Sequence, residues 1–99
     1  MTITKIVENN KITLKPEGWL DTITSPELGE VVDAIDAAEA LTLDFSGVEY
    51  MSSAGLRQVV ATNKKAKELG AAFAVIHVNH EVMSIFQMTG IDKKLDIRG

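Results

Sequence analysis

Cysteine is absent from this chain, which excludes disulfides and thiolate metal sites and is compatible with a reducing compartment. Aromatic residues make up only 5% of it, so a core has to be built from aliphatic side chains and alanine. No apolar run approaches the length needed to cross a bilayer; stretches such as Ala71 to Ile76 are far too short. Positive charge is the minority: ten Lys and Arg against fourteen Asp and Glu leave a net charge of −4. A binder of nucleic-acid backbone needs a basic face, so no direct nucleic-acid partner is expected. The small cluster Lys64, Lys65 and Lys67 reads as a solvated helix face. Met1-Thr2-Ile3-Thr4-Lys5 has neither the basic start nor the long apolar core of a signal peptide, and a cytoplasmic protein without membrane insertion is expected. Linkers, repeats and low-complexity stretches are also missing. The chain is therefore read as one domain, 1–99.

What is present is a regular alternation of strand and helix patterns. Thr2 to Glu8 is rich in β-branched residues, Asn9-Asn10 is a turn signal, and Lys11-Ile12-Thr13-Leu14-Lys15 alternates as a half-buried strand does. These predict an antiparallel hairpin. Pro16 is expected at an edge or irregularity, because it cannot donate a ladder hydrogen bond, and Leu20 is expected to point inward. Ser25-Pro26-Glu27 has the chemistry of a helix start, with Ser25 as cap. Leu28, Val31, Val32 and Ile35 continue the helix with one buried face. Leu41 to Phe45 is a strand dense in apolar residues. A second helix follows from Leu56 to Leu69, with Leu56, Val59, Val60, Ala66 and Leu69 inward and Gly70 in the left-handed position that ends it. The nearly continuous apolar run Ala71 to Val78 predicts a strand covered on both faces. His80 to Met88 predicts a third helix, with Val82, Ile85 and Phe86 inward and Gly90 at its end; Lys94 to Ile97 predicts a short last strand. Met51, Met83 and Met88 read mainly as core residues, while Trp19 fits either the core or an exposed anchor. Strands joined through helices imply a mostly parallel sheet, which the opening hairpin makes mixed.

The functional question centres on Tyr50-Met51-Ser52-Ser53-Ala54-Gly55-Leu56, where a strand hands over to a helix. A helix start exposes unpaired N–H groups and the positive end of the dipole. A serine there can cap the helix, hold an anion or carry a phosphate. On residue type alone, Ser53 is a plain N-cap. Ala54 and Gly55 read as small residues permitting a close approach, since one glycine is far from a nucleotide-binding loop. Asp21 is expected to anchor the loop before the first helix and Asp44 to end a strand near the serine turn, rather than to form an acid–base or Mg²⁺ pair. His77 and His80 have no third ligand beside them and no Gly-x-Ser-x-Gly elbow to serve, so neither a metal site nor a hydrolase is expected. A structural, hydrogen-bonded role suits His77 better. The chain reads as a non-enzyme without cofactor.

The run Leu41-Thr42-Leu43-Asp44-Phe45-Ser46-Gly47-Val48-Glu49-Tyr50-Met51-Ser52-Ser53-Ala54-Gly55-Leu56 resembles the signature of the STAS domain, the family of the bacterial anti-sigma factor antagonists. Gly18-Trp19-Leu20-Asp21-Thr22 followed by Ser25-Pro26-Glu27-Leu28 is similar to the family's approach to its first helix. Ile85-Phe86-Gln87-Met88-Thr89-Gly90-Ile91 is similar to its late helix end. The resemblance covers nearly the whole chain, in order and spacing. It implies a mixed α/β sheet with helices packed against it and a partner switch in which an anti-sigma factor, itself a serine kinase, binds the antagonist and phosphorylates it. A phosphoserine phosphatase then resets the cycle. The family's phosphoserine maps onto Ser53, with Ser52 the weaker candidate, and the implied docking surface is Asp21, Thr22, Met51, Ser52, Ser53, Ala54, Gly55 and Arg57. Where well-studied members carry aspartate before the phosphoserine, this chain has Ser52. That departure motivates an alternative: a non-phosphorylated STAS subunit of a larger assembly such as a lipid-transport ATPase complex.

Overall fold

The second strand is the spine of the molecule. In the computed structural model, which describes residues 1–99, β1 (Thr2–Glu8) and β2 (Lys11–Leu20) form the expected antiparallel hairpin, in register from Thr2 opposite Glu17 to Glu8 opposite Lys11. Asn9 and Asn10 both take positive φ, 49° and 64°, at the tip. The other edge of β2 is shared. Its residues Lys11–Leu14 pair in parallel with β3 (Ala40–Asp44), and Glu17–Leu20 pair in parallel with β4 (Gly47–Met51). β5 (Ala72–Ile76) completes the sheet beyond β3, giving the order β1-β2-β3-β5 with β4 on β2. Pro16 thus lies in a strand bonded on both sides, not at an edge but at an irregularity, the other setting expected for it. It sits at the changeover, where neither β3 nor β4 pairs with it, so its missing N–H breaks no ladder bond there.

The helices α1 (Ser25–Asp33), α2 (Ser53–Glu68) and α3 (His80–Thr89) close over the core side of the sheet. Alternation along the strands puts Ile12, Leu14, Leu41, Leu43 and Val75 into one cluster with Leu28 and Val32 of α1, Val59 and Ala66 of α2, and Val82 and Phe86 of α3. Phe45 and Phe86 meet there at a ring separation of 6.5 Å. Thr62, the buried polar residue of α2, satisfies its hydroxyl by donating to the Gln58 carbonyl at 2.8 Å.

Several expectations are corrected. β4 is an additional strand: Ser46-Gly47 signals a turn, and Glu49 and Tyr50 are both exposed, so no period-two pattern marks it. β5 is not covered on both faces. Its apolar run contains Ala72 and Ala74, whose small side chains sit on the open face without requiring cover, while Val75 is buried. The last strand shrinks to one bridge from Ile97 to Val75 after a short 3-10 turn at Ile91–Lys93. Thr24 rather than Ser25 occupies the N-cap position of α1, with no side-chain capping bond, and the Ser25 hydroxyl is buried without a partner. Val60 and Met88 face solvent.

Candidate functional site at the serine turn

β4 delivers the chain to α2 through Met51, which is fully buried, and Ser52, whose N–H donates to the Leu20 carbonyl at 2.9 Å. That bond ties the ends of β2 and β4 together just before the helix. Ser52 is extended (φ −86°, ψ 178°), and its Oγ accepts from the Gly55 N–H at 3.5 Å. The cap is therefore Ser52, not Ser53 as residue type alone led us to expect. Ser53 becomes the first helical residue, with an exposed side chain free of the capping duty. Gly55 is buried because α2 starts against the end of β2: a Cβ on it would lie inside contact distance of the Leu20 carbonyl oxygen and 2.7 Å from Met51 Cγ. The first turn of α2 carries no acid. An anion on Ser53 would meet the helix dipole and the N–H groups of the first turn with no like charge on that turn.

The residues around the turn come from the C-terminal ends of the parallel strands, where ligands of open α/β sheets bind. After β2, Asp21 Oδ1 accepts from the N–H groups of Ile23 (2.9 Å) and Thr24 (3.0 Å), and the Thr24 hydroxyl donates to the Trp19 carbonyl at 2.6 Å. Asp21 thus anchors the loop, as expected. The Thr24 N–H is the main cause holding its carboxyl below the usual range; partial desolvation opposes this, and the Ile23 N–H assists. After β3, Asp44 Oδ1 accepts from the Ser46 N–H at 3.0 Å and lies 2.9 Å from His77 Nδ1. Burial pushes the Asp44 carboxyl up, but the Ser46 N–H and His77 outweigh it, and the group sits below the usual range. His77 occupies positive φ (56°) directly after β5, locked in the structural pairing its position had indicated. Asn79 caps α3 and donates to the Val48 carbonyl at 3.0 Å, which holds α3 to β4. Asp21 spends its bonds on its own loop, Asp44 on the Ser46 N–H and on His77 after β5, and the two aspartates form no pair. No three His, Asp or Glu side chains come together to hold a metal.

A group with a depressed folded pKa stabilises above its unfolded pKa, and that contribution disappears as pH falls through the folded value. The advantage of the wild-type chain over Asp21→Asn in urea denaturation should therefore be full at neutral pH and shrink below about pH 4. Parallel pH profiles for the two proteins would show that the Asp21 knot contributes nothing.

Residues 7–98 match the family model described as "Mlab, STAS domain". The chain belongs to the STAS domain family. Among curated relatives, it is 30% identical over 95 residues to the anti-sigma-F factor antagonist RsfB of Mycobacterium tuberculosis, covering 94% of this chain and 77% of that protein. It is 28% identical over 89 residues to the anti-sigma-B factor antagonist of Bacillus subtilis, covering 89% and 82% of the two chains. An anti-sigma factor antagonist from Mycobacterium paratuberculosis superposes with a TM-score of 0.88 at 26% identity, over 98% of this chain and 84% of that one. A sulfate transporter family protein from Wolinella succinogenes shares the fold, with a TM-score of 0.82 at 14% identity over 95% and 80%.

In this STAS domain the implied docking residues divide into two groups. Thr22, Ser53 and Arg57 are exposed, and Asp21, Ser52 and Ala54 are half-buried around them. Met51 and Gly55 are corrected to the interior, because the start of α2 packs on the end of β2 through them. Three neighbours missing from the sequence-based set are exposed: Trp19 (57%), Ile23 (80%) and Tyr50. Trp19 and Tyr50 stand opposite each other across the β2–β4 ladder, with ring centroids 5.2 Å apart. The signal for this patch is the β2–β4 pairing itself. Without β4, Tyr50 reads as part of a turn and Trp19 keeps its two alternatives. No helix of the chain is long and apolar enough to cross a membrane.

Proposed function

We propose that this STAS domain is an anti-sigma factor antagonist that docks on an anti-sigma factor serine kinase through the serine turn and is switched by phosphorylation of Ser53. The observation that carries this reading is the division of labour between the two serines. Ser52 caps α2, and Ser53 presents a solvent-exposed hydroxyl on its first turn. Aspartate and serine are near-equal N-caps, so Ser52 can do the capping work of the family's aspartate, and does it without placing a negative charge beside a phosphate. The phosphate adds about −1.5 to −2 charges at neutral pH. On this helix start it is compatible with the fold, but against a packed partner it brings bulk, desolvation and repulsion. Asp21, Thr22, Ser52, Ala54 and Arg57, with Trp19, Ile23 and Tyr50, frame the docking face, and a phosphoserine phosphatase returns the protein to its binding form. The cycle belongs in the cytoplasm. Incubation with an anti-sigma factor kinase and ATP, followed by mass mapping, is expected to place one phosphate on Ser53. Modification of neither serine would overturn the switch.

The departure at Ser52 favours one second reading, a STAS subunit that stays unphosphorylated within a larger assembly such as a lipid-transport ATPase complex. Co-purification with ATPase subunits in place of a kinase, with no phosphate on the chain, is the result that distinguishes it.

A further inference from the structure

An open groove of about 420 Å³ runs along α2, beginning one turn beyond Ser53. Its floor is apolar: Leu56, Val60 and Ala61 from α2, and Ile91 from the 3-10 turn after α3. Val60 is 42% exposed at a position where the helical spacing of the sequence calls for a core residue. The two charged residues that line the groove, Arg57 and Lys64, are both cations, on a chain whose net charge is −4. Neither is engaged: the ion pairs of the molecule use the N-terminus, His77 and Arg98. Arg57 and Lys64 lie seven residues apart on one helix, which separates them by about 10 Å along its axis.

We propose that this groove receives an amphipathic helix of a partner protein, one that carries acidic side chains seven residues apart with large apolar residues between them. Two acids at that spacing on a helix lie on one face and repeat the separation of Arg57 and Lys64. The residues three and four positions after the first acid then fall over Val60 and Ala61. An extended segment spanning the same distance needs about three residues, an odd step that sends its two acids to opposite faces. The cation spacing therefore selects a helix. This inference rests on the reading of the serine turn as a docking face and extends that face along α2. It also links the groove to the switch. Ser53 precedes Arg57 by four residues and shares its side of the helix, so a phosphate there draws the guanidinium onto itself and removes one of the two rim cations from the partner.

The test uses the full chain, labelled with ¹⁵N, titrated with a synthetic helical peptide bearing Glu-x-x-Leu-Leu-x-x-Glu. The expected result is saturable amide shifts confined to residues 56–64 of α2 and the neighbourhood of Ile91. Lys in place of both Glu should abolish them, and Arg57→Glu with Lys64→Glu should weaken binding about tenfold. Both substituted residues are exposed, and unchanged circular dichroism verifies the fold of the variant; Lys64→Glu alone gives a smaller loss in the same direction. Silence at millimolar peptide overturns the inference, as does equal binding of the Lys peptide. So do two other occupants: shifts of these amides by phosphatidylglycerol vesicles with the peptide inert, or their shift with protein concentration alone, which marks a second copy. Phosphorylation of Ser53 is scored separately by mass mapping, so the groove and the switch can fail independently.

Discussion

Gly55→Ala should lower the unfolding free energy by about 3 kcal/mol, because one methyl group has no space between α2 and the end of β2. The added Cβ meets a backbone carbonyl, that of Leu20, and the buried Met51 and Leu20 side chains. The carbonyl cannot rotate away as a surface side chain does, since Ser52 is bonded to it. For a domain of this size the loss corresponds to a fall in Tm of about 12–24 °C, measured by circular dichroism. Gly29→Ala in α1 is the matched control. Its Cβ would crowd the Gln58 amide oxygen at 2.9 Å, the far end of a flexible side chain, and alanine favours the helix over glycine by about 1 kcal/mol. That variant should be neutral or more stable. If both variants melt with the wild type, the tight seating of α2 is not what glycine provides at position 55.

Ser53→Asp should weaken binding to the anti-sigma factor kinase at least about a hundredfold, the scale of placing an unpaired charge in a packed interface. The same substitution should leave the domain as stable as before or more so, by up to about 1 kcal/mol, because an acid on the first turn complements the helix dipole. Opposite signs for affinity and stability are the diagnostic. Calorimetric titration with the kinase and a thermal melt measure the two. Unchanged affinity, or a collapse of stability, would remove Ser53 from the role proposed for it.

Much of this architecture is legible in the sequence because local chemistry and global fold agree. Asn9-Asn10 forces the hairpin, Leu28 and Val32 mark the buried face of α1, and Gly70 and Gly90 end their helices at positive φ. The candidate site is legible as a strand-to-helix turn with a serine pair. What local pattern does not convey is which strand pairs with which. β4 and the tolerance of Pro16 both follow from β2 changing partners halfway along, a fact about residues some thirty positions apart. The exposure of Trp19 and Tyr50 depends on the same pairing. Val60 shows the converse limit. Its helical spacing is correct for burial, but the chain has no element to cover it, and the groove results.

The bond from the Ser52 N–H to the Leu20 carbonyl has a consequence for how information moves through this protein. β2 is held by β1 along one edge and by β3 and β4 along the other. The turn is stitched to Leu20, beyond the last β1 pair at Glu17, so β4 and the buried Leu20 and Met51 side chains hold it, and opening it costs their burial. A surface that rigid loses little conformational entropy when a partner docks, which leaves the interface chemistry to set the residence time of the complex. On such a frame, regulation has to act on charge and fit at the surface, and the backbone beneath it stays where it was.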